Sequence, residues 1–257
     1  MKRVTKTIAF LLVSLIIGTT LTATAAGEGW FIVKRKNECP GFPQSASILD
    51  LHKCYYIDKS ASQNGEKVIY LTFDAGYENG NVGKILDILA AKGATAAFFV
   101  LSNIICKNPE LILRMQNEGH TVCNHTRNHK NLTKLTEEEI IENIKSLEVI
   151  CEEKTGVKIS PYFRFPEGFY SIESIEAVEK IGYKTIFWSI AYADWDNGRQ
   201  PDKDQAIRSL LDQTHPGAVV LLHPTSSTNA EILGDMIDIW RDMGYRFGSL
   251  DELVARN

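Results

Sequence analysis

From Lys67 onward the chain alternates short apolar runs with amphipathic helical patterns, and this alternation restricts its fold more than any other property of the sequence. "KVIYLTFD" reads as a strand, "VGKILDILAAKG" as a helix ending at Gly93, and "TAAFFVL" as a second strand. "NPELILRMQNEG" is a helix and "HTVCNH" a strand. The long helical stretch "TEEEIIENIKSLEVICEEKTG" opens with Thr136 and Glu139 spaced for a capping box and closes on Gly156. "YFRFP", the helix "SIESIEAVEKIG", the strand "KTIFWSI", the helix "DKDQAIRSLLDQTHPG", the strand "AVVLLH", the helix "NAEILGDMIDIWRDMG" and a short strand near "YRFGSL" complete the series. Strands that alternate with helices imply a parallel sheet with helices outside. Seven or so such units in one domain favour a closed or nearly closed α/β barrel over an open doubly wound sheet.

The region before Lys67 differs. Lys2, Arg3 and Lys6, the apolar run Ile8 to Gly18, and Ala23, Ala25 and Ala26 form the pattern of a signal peptide over residues 1–26, with cleavage near Ala25 or Ala26. The apolar run falls short of the ~20 residues of a membrane span, so an uncleaved anchor is the minority reading. Residues 27–66 lack a sustained period and contain the turn-rich "CPGFPQS" and "SASQNGE", which read as an N-terminal extension draped over the domain of residues 67–257. The expected location is outside the cell membrane, secreted or in the cell wall, as a monomer.

Removing residues 1–26 takes away three positive charges and no negative ones, which moves the formal charge from -4 to -7. That balance argues against nucleic acid, whose phosphates call for a basic stripe. No GxGxxG follows the first strand and no GxxxxGK[ST] occurs, so nucleotide binding has no motif behind it. Five cysteines, Cys39, Cys54, Cys106, Cys123 and Cys151, include no CxxC pair, which leaves a structural zinc site without ligands of the usual spacing. Cys39 and Cys54 could pair after export, whereas Cys123 reads as a small buried residue.

The residues capable of chemistry fall in one kind of place. Asp74 ends "YLTFD", His125 ends "HTVCNH" with His129 four positions on, Arg164 lies in "YFRFP", Asp194 follows "FWSIAYA", and His223 ends "VVLLH". Each is at or just after the carboxyl end of a predicted strand, the face where barrel enzymes assemble their sites. Taken singly, each has a plainer role. Asp74 could cap the following turn, Arg164 could make a surface ion pair, and His223 could be a satisfied core histidine. His125 and His129 could be two surface residues, or could face one ion if their segment makes a helical turn. His120 and His215, at the other end of their strands, read as structural, His52 belongs to the extension, and Trp188 and Trp240 read as core.

In order, "TFD", "HTRNH", "RFPEG", "DW" and "LLH" resemble the motif series of the carbohydrate esterase family 4 polysaccharide deacetylases, over nearly the whole span from Val68 to the end of the chain. "TFDAGYENG", "DWD" and "HPGAVVLLH" most resemble the delta-lactam-biosynthetic branch, which de-N-acetylates N-acetylmuramic acid of peptidoglycan on the way to the muramic delta-lactam of spore cortex. The resemblance implies a distorted (β/α) barrel of about seven parallel strands and a secreted hydrolase acting on peptidoglycan glycan strands. It implies Asp74 as base, Arg164 as the cation that ionises and aims it, His223 as acid and Asp194 as its partner. It further implies that Glu167 gives its backbone N–H to the oxyanion, that Trp195 and Leu221 line the acetyl pocket, and that His125 and His129 hold a divalent ion, zinc above all. The family's first motif usually carries two adjacent Asp residues, the second a metal ligand, whereas Ala75 follows Asp74 here. The resemblance thus implies a loosely held metal. A deacetylase of another N-acetylated glycan, such as chitin or an exopolysaccharide, is the alternative within the fold. A catalytically silent glycan-binding module is the alternative outside the enzyme class.

Overall fold

A computed structural model describes residues 27–257; the expected signal peptide lies outside the described residues. The extension contributes β1 (Glu28–Gly29), α1 (Ala46–Leu49), β2 (Cys54–Tyr55) and α2 (Lys59–Asn64). The alternating region begins with β3 (Val68–Ala75), α3 (Val82–Lys92), β4 (Ala97–Val100), α4 (Ser102–Lys107), α5 (Pro109–Asn117) and β5 (Thr121–Asn124). It continues through α6 (Glu137–Thr155), β6 (Ser160–Phe163), β7 (Phe169–Tyr170), α7 (Ile172–Lys180) and β8 (Lys184–Ile186). The chain closes with α8 (Lys203–Gln213), β9 (Ala218–Leu222), α9 (Ser227–Asp242), β10 (Arg246–Phe247) and α10 (Leu250–Ala255). The helix signals act as their chemistry requires. Thr136 Oγ1 accepts from the Glu139 amide while Glu139 Oε2 accepts from the Thr136 amide at 2.8 Å, and Gly156 ends α6 in the left-handed conformation.

All pairings of the main sheet are parallel. β9, β3, β4, β5, β6, β8 and β2 follow one another, and the short β10 is appended to the start of β3. The sheet curls until its two ends meet. At this seam Ile57, just beyond β2, bridges antiparallel to Ala218 of β9, and Ile190, in the segment after β8, bridges parallel to Val220. A seam made of isolated bridges, rather than a full ladder, is what distorts the barrel.

Alternation along β3 sorts its side chains. Ile69, Leu71, Phe73 and Ala75 pack outward with Phe98, Ile112, Leu233 and Trp240 under the helices, whereas Val68 and Tyr70 pack inward with Phe99, Cys123, Tyr162 and Val219. Each fully buried aromatic or aliphatic side chain of these layers stabilises the fold by about 1.5–3 kcal/mol relative to exposure.

The extension is more than a drape over a finished domain. β2 is a strand of the barrel, paired with β8, too short to announce itself by periodicity. Trp30 is buried, stacks on Phe187 with ring centroids 4.9 Å apart, and donates its indole N–H to the Trp188 carbonyl at 2.9 Å. The Trp30 amide donates to the Gly168 carbonyl, also at 2.9 Å. A second correction concerns the cysteines, all five of which are free, so Cys39 and Cys54 are not joined. Cys54 is a buried strand residue whose thiol is pushed up to about 12, first by burial, while Cys39 points its Sγ at the Pro40 carbonyl.

Candidate active site

The inward face of β3 leads directly to the chemistry. Thr72 and Asp74 follow Tyr70 on that face, and both accept from one guanidinium. Arg164 is completely buried and donates from Nη1 to Asp74 Oδ1 at 2.8 Å, from Nη2 to Thr72 Oγ1 at 2.9 Å, and from Nε to the Ile186 carbonyl at 2.9 Å. Its plane lies over the Phe99 ring, 4.1 Å from the centroid. A buried cation needs such complete engagement, since an unpaired one costs several kcal/mol. Burial would raise the Asp74 pKa, but Arg164, His125 and His223 together hold the carboxyl below its ordinary range. Asp74 is thus a carboxylate at neutral pH.

His125 and His129 come together without a helical turn. Residues 125–130 form a loop in which Thr126 (φ 74°) and His129 (φ 58°) take the left-handed conformation, unusual for non-glycine residues and most of all for β-branched threonine. Such strain persists only where neighbours enforce it. Here Asn124 Oδ1 accepts from the Thr126 amide at 2.9 Å, Asn143 Oδ1 from the Arg127 amide at 2.8 Å, and Thr126 Oγ1 from the His129 amide at 2.9 Å. The result places the two imidazoles 5.0 Å apart, edge to face.

The His125 ring has a defined orientation. Its Nδ1 lies 2.9 Å from the Arg164 carbonyl, which can only accept, so Nδ1 carries the proton and Nε2 presents a lone pair. That lone pair faces Asp74 Oδ2 at 3.5 Å. Burial pushes the His125 pKa down to about 4, with Asp74 opposing, so a proton does not fill this gap at neutral pH. Two acceptors facing each other across 3.5 Å suit a metal cation between or beside them. Among the described residues no three His, Cys, Asp or Glu side chains converge tightly enough to hold an ion unaided. Ala75 adds no donor; it is fully buried in the outer apolar layer. The residues therefore fit an ion held by the two histidines, with Asp74 adjacent and the remaining positions open to water or substrate.

The opposite wall carries a second hydrogen-bonded pair of ionisable side chains. Asp194 is fully buried and faces the start of the loop after β9, where its Oδ1 receives His223 Nδ1 at 2.8 Å and its Oδ2 receives the His223 amide at 2.8 Å. Asn229, at the first turns of α9, donates to the same Oδ2 at 2.6 Å and to the His223 carbonyl at 3.0 Å. Burial alone would lower the His223 pKa, but the hydrogen bond and charge of Asp194, helped by Asp74, raise it above the ordinary histidine value. If imidazolium is the working form, activity falls as pH rises through this raised pKa. Asp194→Asn removes the charge, so the alkaline limb of the kcat/KM profile should move to lower pH. An unmoved limb would show that Asp194 does not set the His223 pKa.

Between these walls lies a cavity of about 750 Å³. Asp74, His129, Glu167, Trp195, Leu221 and His223 line it, while His125, Arg164 and Asp194 stand behind as supports. Glu167 sits at φ 56° in the turn after β6, followed by Gly168 at φ 72°, and both left-handed residues line the cavity. Gly168 is required there twice over, by its φ and because a Cβ would lie 2.8 Å from the Trp188 ring. Trp195 is 63% exposed at the rim, and Leu221 is nearly buried in the wall.

Several contributors escaped the sequence reading. Trp188, expected in the core, is half-buried and lines the cavity, because β8 ends at Ile186 and its alternation lapses there. Asn143 interrupts the apolar stripe Ile140, Ile144, Leu147 of α6, and that interruption was its signal. Ile32 and Lys34 of the extension also line the cavity, without any periodic pattern to mark them. His120 and His215 lie away from it; His215 bonds the Gln213 carbonyl and the Ser189 hydroxyl, and His120 accepts from the Ala96 amide.

Comparison with known proteins locates this arrangement. The polysaccharide deacetylase family model matches residues 61–186. The peptidoglycan-N-acetylmuramic acid deacetylase PdaA of Bacillus subtilis is 38% identical over 211 residues, 82% of this chain and 79% of that protein. The solved structure of Bacillus subtilis PdaA, described as a family 4 carbohydrate esterase, superposes with a TM-score of 0.83 at 36% identity, covering 88% of this chain and 96% of that one. A family 4 carbohydrate esterase from Bacillus anthracis superposes with a TM-score of 0.74 at 35% identity, covering 90% and 98%.

Proposed function

Because the chain belongs to the polysaccharide deacetylase family, the family 4 carbohydrate esterases, we propose that it is a hydrolase of N-acetyl amides in peptidoglycan, with N-acetylmuramic acid as its sugar. The observation that carries the chemical half of this reading is the pairing of two differently tuned groups on one cavity. Arg164 bonds Asp74 and favours its carboxylate, and Asp194 bonds His223 and raises its pKa above the ordinary histidine value. Groups whose surroundings push their protonation states apart are what a base and an acid of one reaction need.

Amide hydrolysis requires an activated water, a stabilised oxyanion and a proton for the departing amine. Asp74 takes the proton of the attacking water, since its second oxygen faces away from Arg164. The turned backbone at Glu167 offers its N–H to the developing oxyanion. His223 delivers its Nε2 proton to the leaving nitrogen, because Nδ1 is engaged by Asp194. Leu221, Trp188 and Trp195 shelter the acetyl methyl from water. A divalent ion on His125 and His129, zinc in our reading, supplies Lewis-acid polarisation of the scissile amide when bound. Formation of muramic delta-lactam in spore cortex, and export by residues 1–26 to the cell wall, belong to the same proposal.

The metal half is tested by dialysis against a chelator followed by acetate release from purified peptidoglycan. Activity should disappear and return with added zinc. His125→Ala should loosen zinc by more than the ~10- to 100-fold that loss of an outer-shell partner costs. Equal zinc affinity in wild type and His125→Ala would remove the histidine pair from the reading.

A further inference from the structure

The extension reaches the cavity with one charged side chain. Residues 30–34 run past the mouth, fastened at one end by Trp30 and at the other by the bridge of Val33 to Gly41, whose two amide–carbonyl hydrogen bonds measure 2.7 and 2.9 Å. Ile32 and Lys34 face the cavity, while Phe31 and Val33 are each 54% exposed on the other side. Lys34 is the one lysine or arginine on the cavity lining, and it forms no salt bridge among the described residues. The arginine of the site, Arg164, is occupied by Asp74, Thr72 and the Ile186 and Phe187 carbonyls.

Muramic acid differs from glucosamine by a 3-O-lactyl group that ends in a carboxylate when nothing is attached to it. That substituent sits on the ring carbon next to the one bearing the acetamide. A sugar with its acetamide between Asp74 and His223 must therefore place its lactyl group on the neighbouring wall of the same cavity. Resting on the muramic reading above, we infer that Lys34 is a specificity-determining residue that binds the free lactyl carboxylate of the substrate by a charge-assisted hydrogen bond. Lys34 does not approach the reacting bond, so its contribution is to binding of ground and transition states alike, and its loss raises KM with little change in kcat.

The test compares two glycan oligomers containing N-acetylmuramic acid, one with the lactyl carboxylate free and one with it converted to a methylamide. Wild type should prefer the free acid. Lys34→Gln should lose about 10-fold in kcat/KM on the free acid, the scale of one charge-assisted hydrogen bond, through KM. Its rate on the methylamide should stay at the wild-type value, which also shows that the variant folds. Lys34→Arg should retain most of the preference. Wild-type activity on both glycans with an unchanged preference in Lys34→Gln would overturn this inference and leave the muramic reading intact. Wild-type inactivity on both would overturn the muramic reading and the inference with it.

Discussion

Asp74→Asn is expected to lower acetate release from peptidoglycan by ~10²- to 10⁴-fold without unfolding the protein, and His223→Ala to do the same. Asparagine keeps the shape of aspartate and an oxygen for Arg164 Nη1, so the 2.8 Å contact survives while the proton acceptor is lost. His223 is only partly buried at the cavity wall, and its removal leaves Asp194 still bonded by Asn229 and the backbone amide of residue 223. Both variants should therefore melt near the wild-type temperature. The two losses should also fail to multiply in the double variant, because base and acid serve one transition state. Near-normal turnover in either single variant would remove that residue from the mechanism.

Arg164→Lys is expected to be almost as damaging as Arg164→Ala. Lysine keeps the charge but has no planar fork, and the fork here spreads over Asp74, Thr72 and the Ile186 carbonyl at 2.8–2.9 Å while stacking on Phe99. A single ammonium cannot serve three acceptors at those positions. The carboxylate it leaves behind is poorly aimed, and breaking such a buried pair costs about 3–5 kcal/mol of stability. Thermal unfolding and acetate release measured together decide the matter. Full rescue by lysine in both would show that charge alone keeps Asp74 ready.

How legible this site was depended on where each residue lies. Asp74 and His223 lie at the ends of strands whose apolar runs are unmistakable, so parallel-strand geometry puts them on one face from the sequence alone. The His125–His129 pair was legible as a spacing, but not as a conformation. The spacing allowed one shared ion if the segment made a helical turn, whereas the rings meet through two left-handed residues, Thr126 and His129, in a loop held by Asn124 of β5 and Asn143 of α6. β2 spans two residues, too few for a period to appear, so the extension read as separate from the barrel it helps to close. Trp188 illustrates the reverse error. An aromatic residue in an apolar run counts as core until the strand ends, and β8 ends two residues before it. Lys34 carried no signal at all, because its position is fixed by Trp30 packing on Phe187, far along the chain.

The most direct test is to treat purified peptidoglycan with the protein, digest it to disaccharide fragments, and locate the lost acetyl group by fragment masses. The account predicts that the muramic acid residue loses the mass of one acetyl group while the neighbouring glucosamine keeps its own, and that Asp74→Asn leaves both intact. Loss of acetyl from glucosamine with muramic acid untouched would contradict the substrate, and intact sugars throughout with the wild-type protein would contradict the hydrolysis itself.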